Sequence, residues 1–349
     1  MTMLRKYKWL FAAIALVLIA GTVGYYNRMQ LAIWGFDTFL SSNVEKELEK
    51  SYQPLEGREP VVVTHAETKQ IEPFSLLLLG LDQRGGERGR SDTMLYTVVR
   101  PVDGALLMVS IPRDAYVEIP GRHGDKINHA YAYGEAELAV ETVESLFDTK
   151  VDHYATVNFS GFRDVIDEMG GISLPIDKDL VNDDPGHEKF VVKAGQDLYN
   201  GQDALNYVRF REDAGGDISR TGRHQTFVNA VLERAGDIQN WSKIPQLIET
   251  MGDNFATDMK PDTIIDVAKA MVQADTRSIY GETLGGSGGY SDSGAWYFYL
   301  DEEDLTEAKS WIADWLDDTR TFARLPRPGQ YDGGTGGGRP LSASEAVEQ

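Results

Sequence analysis

The residues FSLLLLGL at positions 74–81 admit few folds. An uninterrupted apolar run of strand length must be buried on both faces, and a sheet with helices on either side provides that burial. Two more strand candidates follow, 92–99 and 105–111 (ALLMVSI), separated by a turn-like stretch at 101–104. Helical periodicity then takes over. Ala139, Val143, Leu146 and Phe147 fall at i, i+4, i+7 and i+8 within 136–147. Phe159, Phe162, Val165, Ile166 and Met169 repeat the pattern within 159–169, closed by a Gly170-Gly171 pair. Residues 153–158 and 172–176 read as strands flanking that second helix. Further helices are expected at 223–238, 244–251, 262–273 and 302–316, and a late strand pair, 277–284 and 295–300, around a Gly/Ser-rich loop at 285–294. The alternation specifies an α/β fold, a mixed central sheet covered by helices.

Residues 9–26 read WLFAAIALVLIAGTVGYY, without a charge. As a helix this run is roughly 27 Å long, close to the hydrocarbon thickness of a bilayer. Arg5, Lys6 and Lys8 precede it and Arg28 follows, so the positive-inside rule puts residues 1–8 in the cytoplasm and the remainder outside. A transmembrane signal anchor is therefore expected at 9–26. A cleaved signal peptide is the competing reading, because Thr22 and Gly24 form a weak small-x-small site. Phe36, Leu40, Val44 and Leu48 at intervals of four then suggest an extracytoplasmic stalk helix within 27–73 that lifts the domain, 74–320, off the membrane. The segment 326–349, rich in Gly and Pro, has almost nothing to bury and reads as a disordered tail.

The 349 residues carry 34 Lys+Arg against 55 Asp+Glu, a net charge of −21, and no cysteine. Disulfides, thiolate metal sites and cysteine nucleophiles are thereby excluded. Nonspecific nucleic-acid binding is disfavoured too, since it rests on phosphate neutralisation by basic residues. If the chain handles phosphate, its cations must be concentrated locally.

Three clusters do concentrate them. Asp82-Gln83-Arg84 leaves the first strand and Arg90-Ser91-Asp92 enters the second, placing two carboxylates at facing ends of adjacent strands. Paired carboxylates with arginine between them suit Mg²⁺ plus phosphate; a solvated loop with ordinary salt bridges is the equal alternative. The second cluster is Arg113-Asp114 with Lys126 and His129 downstream. Arg113 could meet an anion as a planar fork and Lys126 as a point charge, or Asp114 could simply neutralise Arg113. A lone histidine such as His129 is more often structural than catalytic. The third cluster holds Arg209, Arg211, Arg220 and Arg223 within fifteen residues, with Gln225 beside them. Arg209 and Arg211 share a side if extended, and Arg220 and Arg223 share one helix face. Two arginine pairs converging on one pocket would neutralise a pyrophosphate, although a solvated face would also hold them. No GxxxxGK[ST] or HExxH pattern is present, and the GGSGG around Ser287 lacks the strand–turn–helix setting of a nucleophile elbow.

The stretches LLLLGLDQR, GRSDTMLYTVV, VSIPRDAYVEI, KINHAYAYG, VNFSGFRDVIDEMGGI and LYNGQDALNYVRFR with DISRTGRHQ, in this order, resemble the LytR-CpsA-Psr proteins of Gram-positive envelopes. The sequence departs from that pattern at His224, where the family more often has glutamine, and at Gly134, where a glycine pair is common. The resemblance implies an enzyme that moves an anionic glycopolymer, such as wall teichoic acid, from polyprenyl pyrophosphate onto peptidoglycan, with a muramic acid hydroxyl as acceptor. It further implies Mg²⁺ (or Mn²⁺) on Asp82 and Asp92. Around the pyrophosphate it implies Arg84, Arg90, Arg113, Lys126, Arg209, Arg211, Arg220, Arg223 and Gln225. The base stays open among Asp92, Asp82 and Arg113. A polyprenyl chain also needs an apolar groove, because each buried methylene is worth about 0.8 kcal/mol. Phe159, Phe162, Val165, Ile166, Phe227 and Val231 are its candidates, over an unusually wide gap between helices and sheet. Two other readings keep the same pocket: a pyrophosphatase using water, and a noncatalytic envelope sensor or regulator.

Overall fold

In a computed structural model of the chain, the structure describes residues 26–58, 71–82, 89–183, 188–210, 216–274 and 276–328, without the side chains of 216–221, 235 and 238–240. The expected membrane segment lies outside these residues except for Tyr26, and the expected tail is outside them from 329 onward. Among the described residues, no helix is long and apolar enough to cross a membrane.

Six strands form the central sheet: β1 (Phe74–Asp82), β2 (Arg90–Arg100), β3 (Ala105–Ser110), β6 (His153–Asn158), β9 (Phe255–Thr257) and β10 (Ser278–Thr283); two short pairs, β4 (Tyr116–Glu118) with β5 (Gly124–Lys126) and β7 (Leu180–Asn182) with β8 (Phe190–Val192), lie outside it. Their order is β10-β3-β2-β1-β6-β9. β1/β6 and β3/β10 pair parallel, whereas β1/β2, β2/β3 and β6/β9 pair antiparallel, so the sheet is mixed as expected. One consequence governs function. β1, β3, β6 and β10 all end at the same edge of the sheet, and β2 begins there. In α/β sheets, ligands bind at such carboxyl ends.

The faces of the sheet are covered differently. Leu77, Leu79 and Leu81 of β1 and Tyr96 and Val98 of β2 are buried beneath α3 (His129–Phe147) and α9 (Glu302–Leu316), which contribute Val140, Val143, Ile312 and Trp315. At the far end of β2, buried Arg100 donates to the carbonyls of Trp315 (2.8 Å), Asp317 (3.2 Å) and Arg320 (2.9 Å), satisfying the C-terminus of α9. The opposite face carries α6 (Gly216–Gly236) and α8 (Pro261–Gln273) over Phe74, Leu95, Leu106 and Met108. Beside them, α4 (Phe159–Glu168), α5 (Gly201–Arg209) and α6 share a second core around Ile166, Ala204, Tyr207 and Ala230.

Several expectations change on inspection. The stalk segment holds two helices, α1 (Arg28–Phe39) and α2 (Ser41–Glu49). Phe36, Val44 and Leu48 are buried against Trp241 and Ile265, with Ile244 and Ile248 of α7 (Ile244–Met251) alongside, so the apolar stripe packs on the domain. Such a stripe exists to be buried, and the nearest apolar surface takes it. Residues 172–176 form no strand: Ile172 makes a single antiparallel bridge to Tyr199, and Leu174 and Ile176 fill the second core. The late strands do not pair with each other. β10 joins β3 in the main sheet, whereas Gly286–Tyr290 (β11) pairs with Trp296–Leu300 (β12) as a separate hairpin, so the glycine run is a strand. Ser287 sits within it opposite Tyr299, not at an elbow.

The sequence departure at Gly134 has a structural counterpart. α3 is kinked at Gly134-Glu135, and Glu135 has φ 55° and ψ −146°, a region that glycine occupies freely and other residues at a cost of about 1–3 kcal/mol. Glu135 is exposed, so its side chain contributes little packing in return. Glu135→Gly is therefore expected to raise the unfolding temperature by about 2–4 °C for each kcal/mol of strain relieved, read by thermal melting of wild type and variant side by side.

Candidate active site

The common strand edge is shaped by a β-bulge. The β1/β2 register passes from Gly80↔Thr93 to Leu81↔Ser91, which leaves Asp92 as the extra residue on β2. A bulge re-aims the side chain it carries. Asp92 meets Arg113 from the loop after β3: Arg113 Nη1 donates to Asp92 Oδ1 at 2.8 Å, and Nε lies 3.5 Å from Asp114 Oδ2. Lys126 Nζ donates to Asp114 Oδ1 at 2.8 Å, extending the row to four alternating charges.

Backbone bonds fix this loop. The amides of Asn128 and Ile127 donate to the carbonyls of Arg113 (3.2 Å) and Ala115 (2.8 Å), and the Phe298 amide of β12 donates to the carbonyl of Asp114 (2.9 Å). Two short strands, β4 (Tyr116–Glu118) and β5 (Gly124–Lys126), pair antiparallel and deliver Lys126 beside Tyr116. Next to them, Asp125 Oδ2 faces His129 Nδ1 at 2.8 Å and accepts from Tyr133 Oη at 2.7 Å. His129 is thus engaged by a carboxylate at the start of α3.

The electrostatics follow from these contacts. Burial alone would lower the Arg113 guanidinium, but Asp92 and Asp114 outweigh it and hold its pKa above the ordinary value. Burial would raise Asp114, yet its bonds to Lys126 and Arg113 prevail and hold its carboxyl below the usual range. Asp125 is likewise lowered: burial opposes, and His129, Tyr133 and the Lys126 amide win.

Asp82 stands at the end of β1, directly across from Arg90, with both residues at the same edge as Asp92. On the other side of β1, Phe159 opens α4 and lies against Gly80, 3.7 Å from where a Cβ would stand. The Arg209 guanidinium sits over the Phe159 ring at 5.1 Å and lies 3.6 Å from Glu188. The structure therefore brings Asp82, Arg90, Asp92, Arg113, Lys126 and Arg209 to one edge. Arg84 and Arg211 lie outside the described residues, as does the side chain of Arg220, which is carried by α6.

The remaining two residues are buried. Arg223 is buried, donates from Nη2 to the Phe210 carbonyl and lies over the Phe210 ring. Gln225 is buried against Gly281 of β10, where its amide nitrogen would clash with any Cβ. Both knit α6 to its neighbours. Arg209 also differs from the expected extended pairing, because it ends helix α5. The signal for that helix was present: Asn200 caps it, accepting from the Asp203 amide at 2.8 Å.

The lipid-groove candidates divide. Ile166 is core, whereas Phe162 and Phe227 stack at 4.8 Å and join α4 to α6 at the margin of that core, with Val165 and Val231 partly buried beside them. Beneath them lies the side of the sheet where a wide gap is expected. Leu76 and Leu78, on a central strand expected to be buried on both faces, remain partly exposed on the side of α6, near Val228 and Leu232. They pack at the margin of the core that α6 and α8 cover.

The family model of the LytR_cpsA_psr family matches residues 38–313. The chain belongs to this family. Polyisoprenyl-teichoic acid–peptidoglycan teichoic acid transferase TagU of Bacillus licheniformis is 31% identical over 309 residues, 87% of this chain and 94% of that protein. The protein of the same name from Enterococcus faecalis is 32% identical over 295 residues, 82% and 93% respectively. A solved structure described as TagT bound to LI-WTA superposes with a TM-score of 0.61 at 30% identity, covering 76% of this chain and 99% of the other. The LytR_cpsA_psr match spans α2 through most of α9, so every described site residue falls within it.

As a test for a metal, the donor set is hard oxygen. Among the described residues, no group of three or more His, Cys, Asp or Glu is arranged to hold an ion. Asp82 and Asp92 are two hard-oxygen donors at the same strand edge, the donor type that Mg²⁺ takes from carboxylates alongside phosphate and water.

A depressed carboxyl stabilises the fold above its unfolded pKa, near 4, and that contribution is lost as pH falls through the folded value. Asp114→Asn is expected to flatten the loss of stability below about pH 4, measured by urea unfolding as pH is lowered from there.

Proposed function

We propose that this chain is a membrane-anchored phosphotransferase that moves an anionic glycopolymer, wall teichoic acid or a similar polymer, from polyprenyl pyrophosphate onto peptidoglycan, on a muramic acid hydroxyl. The observation that carries it is the Asp92–Arg113–Asp114–Lys126 row at the strand edge, in a chain otherwise strongly acidic. The charge-free run 9–26 and its basic flank support an anchor with the domain outside the cell. The names of the relatives support the substrates.

In this reading the acceptor oxygen bonds to the phosphorus that carries the glycopolymer. The bond from that phosphorus to the bridging oxygen breaks, and polyprenyl phosphate leaves with the electron pair. Arg113, Lys126, Arg90 and Arg209 stabilise charge on the phosphate oxygens, joined by Arg84, Arg211 and Arg220 from the neighbouring segments; fixed donors of this kind are the main source of catalysis in phosphoryl transfer. Arg223 and Gln225 would act by holding α6 in place. Asp82 and Asp92 would hold Mg²⁺ or Mn²⁺, which supplies Lewis-acid neutralisation of the pyrophosphate. Arg113, kept protonated by its two aspartates, is unsuited to accept the hydroxyl proton, which leaves Asp92 and Asp82 for that role. Leu76, Leu78, Phe159 and Phe162 would take the first prenyl units.

The full chain in detergent, given lipid-linked donor, Mg²⁺ and peptidoglycan, is expected to attach polymer to the wall. Asp92→Asn and Arg113→Ala should each lose about 10²-fold or more in rate, the scale of one removed transition-state contact. Chelation should abolish transfer and Mg²⁺ or Mn²⁺ restore it. Phosphate release without polymer on the wall would point to the pyrophosphatase. Full wall attachment in cells that carry Asp92→Asn or Arg113→Ala in place of the wild-type chain would point to a noncatalytic regulator.

A further inference from the structure

Three tyrosines stand outside the site just described. Ala115 of the loop before β4 bridges Phe298 of β12 in parallel, so the β4–β5 ribbon and the β11–β12 hairpin lie side by side. Ala115, Val117 and Leu300 turn inward onto the core beneath α3 and α9. Alternation then sends Tyr116, Tyr297 and Tyr299 to the outer face. Their rings form one cluster: Tyr116 lies 5.2 Å from Tyr297 and 5.7 Å from Tyr299, and Tyr297 lies 6.4 Å from Tyr299.

The cluster is open to solvent. Tyr116 is 38% and Tyr299 39% exposed, with Tyr297 half-buried between them. The strand opposite carries Ser287 and Gly289 on that face, so nothing tall stands beside the rings, and Tyr299 lies 3.2 Å from where a Gly289 Cβ would be. The glycines of β11 thus leave aromatic faces uncovered. The cluster also adjoins the charged row. Tyr116 pairs with Lys126 across β4–β5, which puts both side chains on one side of the ribbon, and Lys126 Nζ lies 5.7 Å from the Trp296 ring.

Resting on the transferase reading, we infer that Tyr116, Tyr297 and Tyr299 form a platform on which sugar rings of the acceptor glycan strand stack. A pyranose presents an apolar face of C–H groups and a rim of hydroxyls, which matches an exposed ring with a polar tip. Position selects the acceptor over the donor. Phosphoryl transfer places attacking and leaving oxygens roughly in line. Leu76 and Leu78 face one side of the sheet, whereas Ala115, Val117 and Leu300, from the ribbons that carry the tyrosines, pack into the core on its other side with α3 and α9. A hydroxyl arriving from the platform approaches opposite the departing lipid phosphate.

The test uses the full chain in detergent with Tyr297→Leu/Tyr299→Leu, which keeps an apolar cover on the hairpin but removes the flat rings, and Tyr299→Phe as the conservative variant. Thermal melting confirms that all three proteins are folded. The double variant should raise the KM for a peptidoglycan acceptor at least tenfold and leave the KM for lipid-linked donor within twofold, with Tyr299→Phe close to wild type. An unchanged acceptor KM, or an equal rise in donor KM, overturns the platform. Calorimetric titration with a β-1,4-linked N-acetylglucosamine hexamer separates this from the transferase reading. Binding by wild type that the double variant loses supports the platform even if no polymer is transferred, and no binding by wild type overturns it.

Discussion

The contact between Arg113 and Asp92 is the one on which the rest of the site depends. It joins the loop after β3 to the bulge in β2, two segments that the sheet brings near each other without otherwise fixing their side chains. A partly buried guanidinium left alone is costly, and so is a partly buried carboxylate. Each residue makes the position of the other tolerable. The arginine engages Asp92 through Nη1 and faces Asp114 through Nε, so its planar fork is held at a fixed angle before any anion arrives. Preorganisation of this kind is what distinguishes a stabilising cation from a mobile one, since no reorganisation is needed as charge develops.

The sheet has two unequal faces, and the inequality follows from its helices. On one side α3 and α9 seal Leu77, Leu79 and Leu81 completely. On the other, α4 and α6 spend part of their apolar surface on each other and on α5, through Phe162, Phe227 and Ile166, and so cover Leu76 and Leu78 incompletely. A helix has one apolar stripe, and a stripe shared between two partners is thin over each. The partial exposure of Leu76 and Leu78 is thus a product of how α4 and α6 divide their contacts.

Much of the framework was legible in local pattern. The β1 run, the turn at 101–104 and the helices at 244–251 and 302–316 follow periodicity and punctuation, and the structure agrees within a residue or two. Three features were not legible, each for a physical reason. Strand alternation cannot report that one face of a central strand stays partly uncovered, as at Leu76 and Leu78, because that depends on helix packing elsewhere. Gly286, Gly288 and Gly289 read as a loop because glycine disfavours strands, yet each lies beneath a cross-strand aromatic ring, which supplies the missing packing. The charged residues of the third cluster were visible, but composition does not tell a solvent-facing arginine from Arg223, turned onto the Phe210 carbonyl. The bulge at Asp92 leaves no sequence mark at all, since it is a property of register between two strands.

The remaining question is how a chain of net charge −21 would take up the polyanion of the proposed reaction. At physiological ionic strength, charges more than about 8 Å apart across solvent are largely screened. A polymer at the strand edge therefore feels the nearest few side chains and not the distant carboxylates. Even the near row is balanced in sign, because Arg113 and Lys126 are each held by aspartates. An anion docked there meets fixed donors in a nearly neutral setting, and the attraction is short-ranged by construction. Such a site favours a compact, doubly charged group such as a pyrophosphate, which can engage several donors at once. It would hold a diffuse polyanionic chain weakly, which suits the proposed reaction, in which the polymer must leave once the diphosphate is gone.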